Sequence, residues 1–263
     1  MIEQSVAEII DQREIAPGYR RMVLESPVNY TAARPGQFVM LGGAGGGSFL
    51  RRPFSIHRLE IESQDRARIA ILYKIVGAAT AAMGDLAPGG RLDLLGPLGR
   101  GFRVREDFRR IFIAAGGIGV APMVHLLEDL AQTRDLETCE VFLGGRTRND
   151  LLCLDDFERL AVKVHRTTDD GSDGAQCFLT HPLEIAAQEH PPDIIYSCGP
   201  MDMLSCVAGI AARLGLPCQV SIEAAMACGM GACLGCAVAD ASGDGYLHVC
   251  KDGPVFEADQ LRW

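Results

Sequence analysis

The chain has 263 residues, of which 48% are hydrophobic and 22% charged, and these values exclude an intrinsically disordered protein. Its 34 acidic residues outnumber its 25 basic residues, which gives a net charge of −9, and no run of lysine and arginine exceeds a pair. A nucleic acid or an anionic membrane surface would need a concentrated basic face, so the sequence predicts neither as a partner.

The N-terminal segment carries acidic residues early and has neither the basic start nor the apolar core of a secretory signal. The two most apolar stretches, 111–127 and 224–239, are rich in glycine and fall short of the roughly 20 apolar residues that a membrane-spanning helix needs. We therefore expect a cytoplasmic protein. In that reducing compartment, ten cysteines indicate metal binding or buried thiols rather than a disulfide scaffold.

The first 102 residues consist of short strand-like runs separated by turn residues. The clearest runs lie at residues 22–24, 37–41, 69–73 and 91–95. Pro-Gly and Gly-Pro pairs stand between them and mark tight turns. About six short strands with regularly spaced turns predict a small antiparallel β-barrel.

From residue 103 to residue 217 the pattern changes to apolar strand, turn and helix. Predicted strands lie at 111–115, 139–143, 162–164 and 193–197. A helical stretch follows the first strand as far as Ala131, and another runs from Met201 to about Leu214. Strands that alternate with helices predict a parallel, Rossmann-like α/β sheet.

The last segment, 218–263, follows neither pattern and contains four closely spaced cysteines. They are Cys228, Cys233, Cys236 and Cys250. Their C-x4-C-x2-C…C spacing is associated with plant-type [2Fe–2S] clusters, and the glycines between them permit the backbone to wrap a compact core. Residues 237–249 predict a hairpin that returns the fourth cysteine beside the third. We therefore predict that these four thiolates hold a [2Fe–2S] cluster.

Three alternatives to this cluster remain open for the four cysteines. A structural zinc site usually has two C-x2-C pairs, whereas only one is present here. A Rieske centre needs two histidine ligands, and only His248 is near. Cysteines without a metal would match the spacing by coincidence. The remaining thiols are expected in the interior: Cys139, Cys153, Cys177, Cys206 and Cys218.

Two motifs in the barrel region suit the diphosphate of a dinucleotide. Residues 51–56 read RRPFSI at a strand start, and residues 77–80 read GAAT after the strand 72–76. A fixed guanidinium and a small-residue turn with exposed N–H groups can both bind phosphate. A surface strand with a solvated arginine is the simpler alternative for the first motif.

These two motifs resemble those of the ferredoxin-reductase-like flavoproteins, in which R-x-[YF]-[ST] and G-x-G-T bind FAD. The FAD-binding residues that the resemblance implies are Arg52, Pro53, Phe54, Ser55, Leu72, Tyr73, Lys74, Ala79 and Thr80. Ala79 departs from the glycine that is frequent in that group, and should narrow the phosphate turn slightly.

Two further motifs lie where strands lead into helices in the second region. GGIGVAP at 116–122 follows a strand and opens a helix, with Pro122 where the G-x-G-x-x-G fingerprint has its third glycine. YSCGPM at 196–201 closes another strand. Both resemble nicotinamide motifs of the same flavoproteins, and this implies that Cys198 is the catalytic residue beside the nicotinamide ring. The implied NAD-binding residues are Gly116, Gly117, Gly119, Pro122, Gly199 and Pro200. A plain strand–helix turn and a buried cysteine are the alternatives.

Over its whole length the chain resembles the electron-transfer subunits of class B dihydroorotate dehydrogenase. The resemblance rests on residues 51–56, 168–174, 223–233 and 249–256, whereas Cys177 departs from a glycine in the family. It implies an FAD-binding barrel domain (1–102), an NAD-binding domain (103–217) and a [2Fe–2S] domain (218–263). It also implies an FMN-containing catalytic partner that oxidises dihydroorotate in pyrimidine (UMP) biosynthesis, in a heterotetramer with two copies of each subunit.

The three cofactors together indicate an electron converter. Hydride transfer with NAD moves two electrons, an iron–sulfur cluster moves one, and a flavin handles both. The sequence leaves no motif for a separate organic substrate, so we expect the other redox partner on another chain, docked near the cysteine loop.

Alternatives to this function remain. The chain could serve a ferredoxin- or sulfide-linked NAD(P) oxidoreductase, with Arg146 and Arg148 holding a 2′-phosphate, or it could be a non-catalytic redox sensor. His57 could approach the flavin, and Glu223 could face the flavin or the partner. A half-buried histidine and a solvated acid are the simpler interpretations of these two residues.

Overall fold

The computed structural model describes residues 2–43, 49–64 and 66–263. In its first part, six strands close into an antiparallel barrel in the order β1-β2-β5-β4-β3-β6, which confirms the predicted barrel. The strands are β1 (Glu3–Ala16), β2 (Tyr19–Glu25), β3 (Phe38–Gly42), β4 (Arg52–Ser63), β5 (Arg66–Lys74) and β6 (Arg91–Leu98), and a short helix α1 (Ala78–Gly84) follows β5.

Strand β5 shows how alternation builds both the barrel and its contact with the rest of the chain. Ile69, Ile71 and Tyr73 point into the barrel core. Leu72 points the other way and joins the core of the second lobe, as does Tyr19 of β2. The barrel and the second lobe therefore share one apolar interface.

The second lobe is an α/β sheet whose described strands continue into the C-terminal segment. Its elements are β7 (Ile111–Gly116), α2 (Ala121–Ala131), β8 (Cys139–Gly145), α3 (Leu154–Arg159), β9 (Lys163–Thr168), α4 (Thr180–Glu189), β10 (Ile194–Cys198), α5 (Met201–Leu214), β11 (Cys218–Ser221), β12 (Ala237–Ala239), β13 (Tyr246–His248) and β14 (Val255–Glu257). The sheet order is β14-β11-β10-β7-β8-β9, parallel except for β14, which pairs antiparallel with β11. This confirms the predicted parallel sheet.

The central strand β7 is apolar throughout because both of its faces are buried. Ile111 and Ile113 belong to the core on one face, and Phe112 and Ala114 to the core on the other. The second of these cores also contains Met40 of the barrel and Cys236 of the C-terminal segment. One core therefore joins all three parts of the chain.

The C-terminal segment is partly built into the sheet. Strands β11 and β14 both come from it, so the predicted boundary between residues 217 and 218 lies directly before a sheet strand. The predicted hairpin is confirmed, with β12 paired antiparallel to β13 in a register that sets Ala237 opposite His248. The division into three domains stays a prediction.

Two expectations concern the burial of the cysteines and the apolar length of the helices. Cys139 and Cys218 are buried as predicted, whereas Cys206 is exposed on α5, so its prediction as an interior residue was wrong. Within the described ranges, no helix has both the length and the apolar character needed to cross a membrane.

Candidate functional site

A cavity of about 550 Å³ lies where the barrel meets the sheet and the C-terminal segment. We call it the barrel cavity. All nine predicted FAD-binding residues line it: Arg52, Pro53, Phe54, Ser55, Leu72, Tyr73, Lys74, Ala79 and Thr80. Its far wall comes from Ile118, Cys198, Glu223 and Met226. The structure therefore brings together residues from β4, β5 and α1 that are up to 28 positions apart in the sequence.

The walls of the barrel cavity combine aromatic surface with polar groups at the edge. The rings of Phe54 and Tyr73 meet edge to face with centroids 5.7 Å apart, and burial raises the pKa of Tyr73 to about 12. Thr80 accepts hydrogen bonds from the backbone N–H groups of Val76 (2.9 Å) and Gly77 (3.2 Å). Its hydroxyl thus holds the predicted small-residue turn, which the structure shows as the start of α1.

A second cavity of about 630 Å³, the sheet cavity, lies at the carboxyl ends of β7, β8, β9 and β10. Five predicted NAD-binding residues line it: Gly116, Gly117, Gly119, Gly199 and Pro200. Pro122 is buried in the first turn of α2 and is not among the lining residues of either cavity. The sheet cavity thus lies in the crevice at the carboxyl ends of the strands, where α/β sheets bind ligands.

Glycine is needed at positions 117 and 119 for two different physical reasons. A Cβ atom on Gly119 would overlap the carbonyl oxygen of Cys198 and would lie 2.7 Å from Gly199 Cα. Only glycine therefore lets the two strand-to-helix loops pack at this point. Gly117 has φ +52° with open space beside it, so it exposes its backbone to the cavity.

The two cavities share a wall. Among the described residues, Lys74, Ile118 and Glu223 line both of them. Glu223 is solvent-exposed at this wall, and partial desolvation by the neighbouring protein raises the pKa of its carboxyl above the usual value. The sequence suggested that Glu223 faces the flavin or the partner, and the structure places it between the two cavities, where it could contact either ligand.

Cys198, the predicted catalytic residue, ends β10 at this shared region. It lines the barrel cavity, whereas the next two residues line the sheet cavity. Burial raises the pKa of its thiol to about 12, and the nearby carboxylate of Glu223 adds to the effect. The thiol is therefore neutral at physiological pH and suited to contact a ring rather than to attack one. Its catalytic role stays a prediction.

The other singled-out side chains lie outside the centre of the site or at its edge. Arg146 lines the sheet cavity, whereas Arg148 is not among its lining residues. His57 is buried between the lobes with its Nδ1 2.8 Å from the carbonyl oxygen of Ala121. The idea that His57 approaches the flavin therefore gains no support from its position.

The four predicted metal ligands lie on one loop and at the base of the hairpin that follows it, with Cys236 directly before β12 and Cys250 two residues after β13. The sulfur atoms of Cys236 and Cys250 are 3.2 Å apart and buried, whereas Cys233 is exposed. The loop turns through left-handed backbone at Gly229 and Gly231. A Cβ atom on Gly229 would lie 2.6 Å from Met40 Cγ, so the loop packs closely on the barrel.

Backbone N–H groups in this loop point at cysteine sulfur atoms. Gly231 N–H donates to Cys250 Sγ (3.1 Å), and Cys233 N–H donates to Cys228 Sγ (3.4 Å). Burial opposes ionisation of Cys228, but N–H donors from Met230 and Cys233 outweigh it and lower its pKa to about 6. Thiolates, not thiols, bind metals, and N–H donors to sulfur are typical of iron–sulfur sites. The four cysteines therefore fit the predicted cluster.

Sequence reasoning missed some residues of these cavities. Asp150 and Asp169 line the sheet cavity just beyond β8 and β9. The rule that ligands bind at carboxyl strand ends could have found both. Tyr19 comes from the barrel, and the sequence holds no signal that it reaches the sheet cavity.

Comparisons with known proteins agree with this layout. Residues 112–209 match the family model of the oxidoreductase NAD-binding domain, and residues 223–262 match that of the iron-sulfur cluster binding domain of dihydroorotate dehydrogenase B.

Curated relatives extend over nearly the whole chain. The dihydroorotate dehydrogenase B (NAD(+)) electron transfer subunit of Desulforamulus reducens is 35% identical over 261 residues, covering 98% of this chain and 97% of the relative. The probable subunit of the same name from Methanopyrus kandleri is 38% identical over 260 residues, covering 97% and 91%. A chain in the structure of the NADH-dependent reduced ferredoxin-NADP oxidoreductase has a TM-score of 0.84 and 26% identity, covering 98% of this chain and 90% of that one.

Proposed function

Because the chain belongs to the family of dihydroorotate dehydrogenase B electron transfer subunits, we propose that it passes electrons from a dihydroorotate-oxidising partner subunit to NAD+. The observation that supports this most is the contiguity of three sites. The barrel and sheet cavities share a wall, and Ala224 and Met226, just before the first cluster cysteine, line the barrel cavity.

Each cofactor then has a place in the chain. FAD occupies the barrel cavity, NAD the sheet cavity, and a [2Fe–2S] cluster the four cysteines. A flavin exchanges hydride with nicotinamide and single electrons with an iron–sulfur cluster. The chain's own residues align these groups: the exposed Arg52 lines the barrel cavity, and Ile118 and Glu223 lie between the two ligand sites.

The partner subunit is expected to contain FMN and to dock at the cysteine loop. The apolar side chains of Met230 and Leu234 are 46% and 58% exposed beside the exposed Cys233. Exposed apolar side chains next to a redox centre favour a protein partner there. A heterotetramer in the cytoplasm, serving pyrimidine synthesis, completes the proposal.

The direct test reconstitutes the pathway. The purified chain, loaded with flavin and iron–sulfur cluster, is mixed with an FMN-containing dihydroorotate dehydrogenase subunit, and NADH formation is followed after adding dihydroorotate and NAD+. We expect turnover with the wild-type chain and at least a tenfold loss with Cys236→Ser. The control Cys177→Ser, at a cysteine outside the described linings of both cavities, should keep the wild-type rate. Absence of dihydroorotate-dependent NADH formation in the complete mixture would refute the proposal.

A second candidate is supported by the likeness to the NADH-dependent reduced ferredoxin-NADP oxidoreductase structure. In that case the chain would serve a complex with ferredoxin rather than with dihydroorotate. Co-purification from the native cell distinguishes the two, because the partner is either a dihydroorotate dehydrogenase or a larger flavoprotein.

We infer NAD rather than NADP as the nicotinamide substrate. The sheet cavity has two cations, Lys74 and Arg146, against four acids, Asp150, Asp169, Asp202 and Glu223, among its described lining residues. A third phosphate group would enter a region that already carries excess negative charge. We expect kcat/KM for flavin reduction to be at least tenfold higher with NADH than with NADPH. Equal values would contradict this inference.

A further inference from the structure

Tyr19 and Asp150 form a buried hydrogen bond between the barrel and the sheet. Tyr19 belongs to β2 of the barrel, and its hydroxyl donates to Asp150 Oδ1 at 2.5 Å. Asp150 ends a short turn after β8, and its other oxygen accepts from the backbone N–H of Thr147 (3.2 Å). Both residues are less than a tenth exposed. The bond therefore joins the two lobes directly.

Lys74, at the end of β5, completes the contact from the barrel side. Its Nζ donates to the Tyr19 hydroxyl at 2.8 Å and lies 3.6 Å from Asp150 Oδ1. It also lies 4.6 Å from the centre of the Tyr19 ring. The Tyr19 hydroxyl thus both accepts and donates a hydrogen bond, so a single atom carries the network.

This network is part of the wall of the sheet cavity, and that distinguishes it from the polar contact that Arg58 makes between the lobes. Tyr19, Asp150 and Lys74 all line the sheet cavity. Arg58 also joins the lobes, through Glu128 (3.0 Å) and Asp156 (2.6 Å), but it is not among the described residues that line either cavity. The two contacts therefore hold the same lobes together at different places.

We propose that Tyr19 and Asp150 are positioning residues for hydride transfer between the nicotinamide and the flavin. This inference rests on the proposed function, in which one lobe holds the flavin and the other the nicotinamide. Hydride transfer requires the two rings in contact, and a displacement of about 1 Å can cost on the order of 100-fold in rate. A hydrogen bond at the cavity wall fixes the distance between the two lobes next to the ligand sites. At that place the distance determines how the flavin and nicotinamide rings are aligned.

The test is the Tyr19→Phe variant of the FAD-loaded chain, with two controls. Tyr30→Phe makes the same chemical change in the barrel core, where the Tyr30 hydroxyl has no hydrogen-bond partner among the described residues. Arg58→Gln removes another polar contact between the lobes, at a residue that is not among the described cavity linings. Stopped-flow reduction of the flavin by NADH gives both the limiting rate and the Kd, and FAD content and Tm are measured alongside.

We expect Tyr19→Phe to lower the limiting rate of flavin reduction by tenfold or more. FAD content and the Kd for NADH should change less than threefold. Tyr30→Phe should match the wild type, and Arg58→Gln should lower Tm while keeping the limiting rate within about twofold.

Two results would overturn the inference. A wild-type limiting rate in Tyr19→Phe would show that the bond does not position the rings. An equal loss of rate in Arg58→Gln would show that any loosening of the lobes suffices. If NADH does not reduce the flavin of the wild-type chain at all, the proposed function itself fails. That result is distinct from the other two, in which the wild-type flavin is reduced and only the comparison with a variant decides.

Discussion

Gly119 offers the sharpest test of the sheet cavity, because its neighbours leave no room for a side chain. In Gly119→Ala the new Cβ would overlap the Cys198 carbonyl oxygen and approach Gly199 Cα to 2.7 Å. These neighbours are backbone atoms, which cannot rotate away, so the two loops must separate. Overpacking of this kind costs about 1–3 kcal/mol, or a fall in Tm of roughly 2–12 °C at about 2–4 °C per kcal/mol.

The separated loops also line the sheet cavity, so NADH binding should suffer with stability. We expect the Kd for NADH in Gly119→Ala to rise at least tenfold, measured by titration of the FAD-loaded chain. Gly209→Ala in α5 is the matched control, because its Cβ would meet only Arg213 Nη1, at 3.5 Å. An alanine there should stabilise the helix by about 0.5–1 kcal/mol. Unchanged Tm and Kd in Gly119→Ala would refute the packing argument.

Three further results follow from charges and thiols. Burial lowers the pKa of both His57 and His125 to about 4, so between pH 6.5 and 4 the unfolded chain binds more protons than the folded one. Stability should therefore fall as the pH drops through that window, by about 3 kcal/mol per histidine, and urea unfolding of His125→Leu should show a shallower decline. Cys233→Ser should lose the long-wavelength absorption of the cluster while the flavin bands persist; an unchanged spectrum would exclude Cys233 as a ligand. Glu223→Gln should leave FAD content unchanged and alter the pH profile of flavin reduction; an identical profile would show that this acid does not act there.

The sequence was most informative where one local pattern carries the structure. The barrel strands, the hairpin at 237–249 and the glycine-rich turn at 116–119 each depend on residues a few positions apart. Period-two alternation, turn residues and glycines report directly on such local geometry. For the same reason, all nine predicted FAD-binding residues line one cavity, because they come from β4, from the adjacent strand β5 and from the start of α1 directly after β5.

What the sequence could not predict depends on long-range packing. Strand β14 joins the sheet beside β11 although 33 residues separate the end of one from the start of the other, and no local signal marks that pairing. Lys74 was assigned to the flavin by resemblance, but its ammonium is bonded to Tyr19 on the sheet-cavity side. Its strand is visible in the sequence, whereas the direction of a long, flexible side chain depends on which acids the fold brings near it.

The return of β14 to the sheet also accounts for how a cluster loop can be held at a fixed distance from a flavin site. Strand β11 leads from the sheet into Glu223, and Cys228 follows five residues later; at the other end, Cys250 lies five residues before β14. Both ends of the cluster segment are therefore anchored in adjacent strands, and Gly229 packs on Met40 of the barrel between them. A loop fixed at three points cannot shift relative to the barrel cavity without breaking sheet hydrogen bonds. In Gly229→Ala we therefore expect the contact with the barrel to be disturbed more than the positions of the four cysteines. Electron exchange between flavin and cluster should slow, while the iron content stays at the wild-type level.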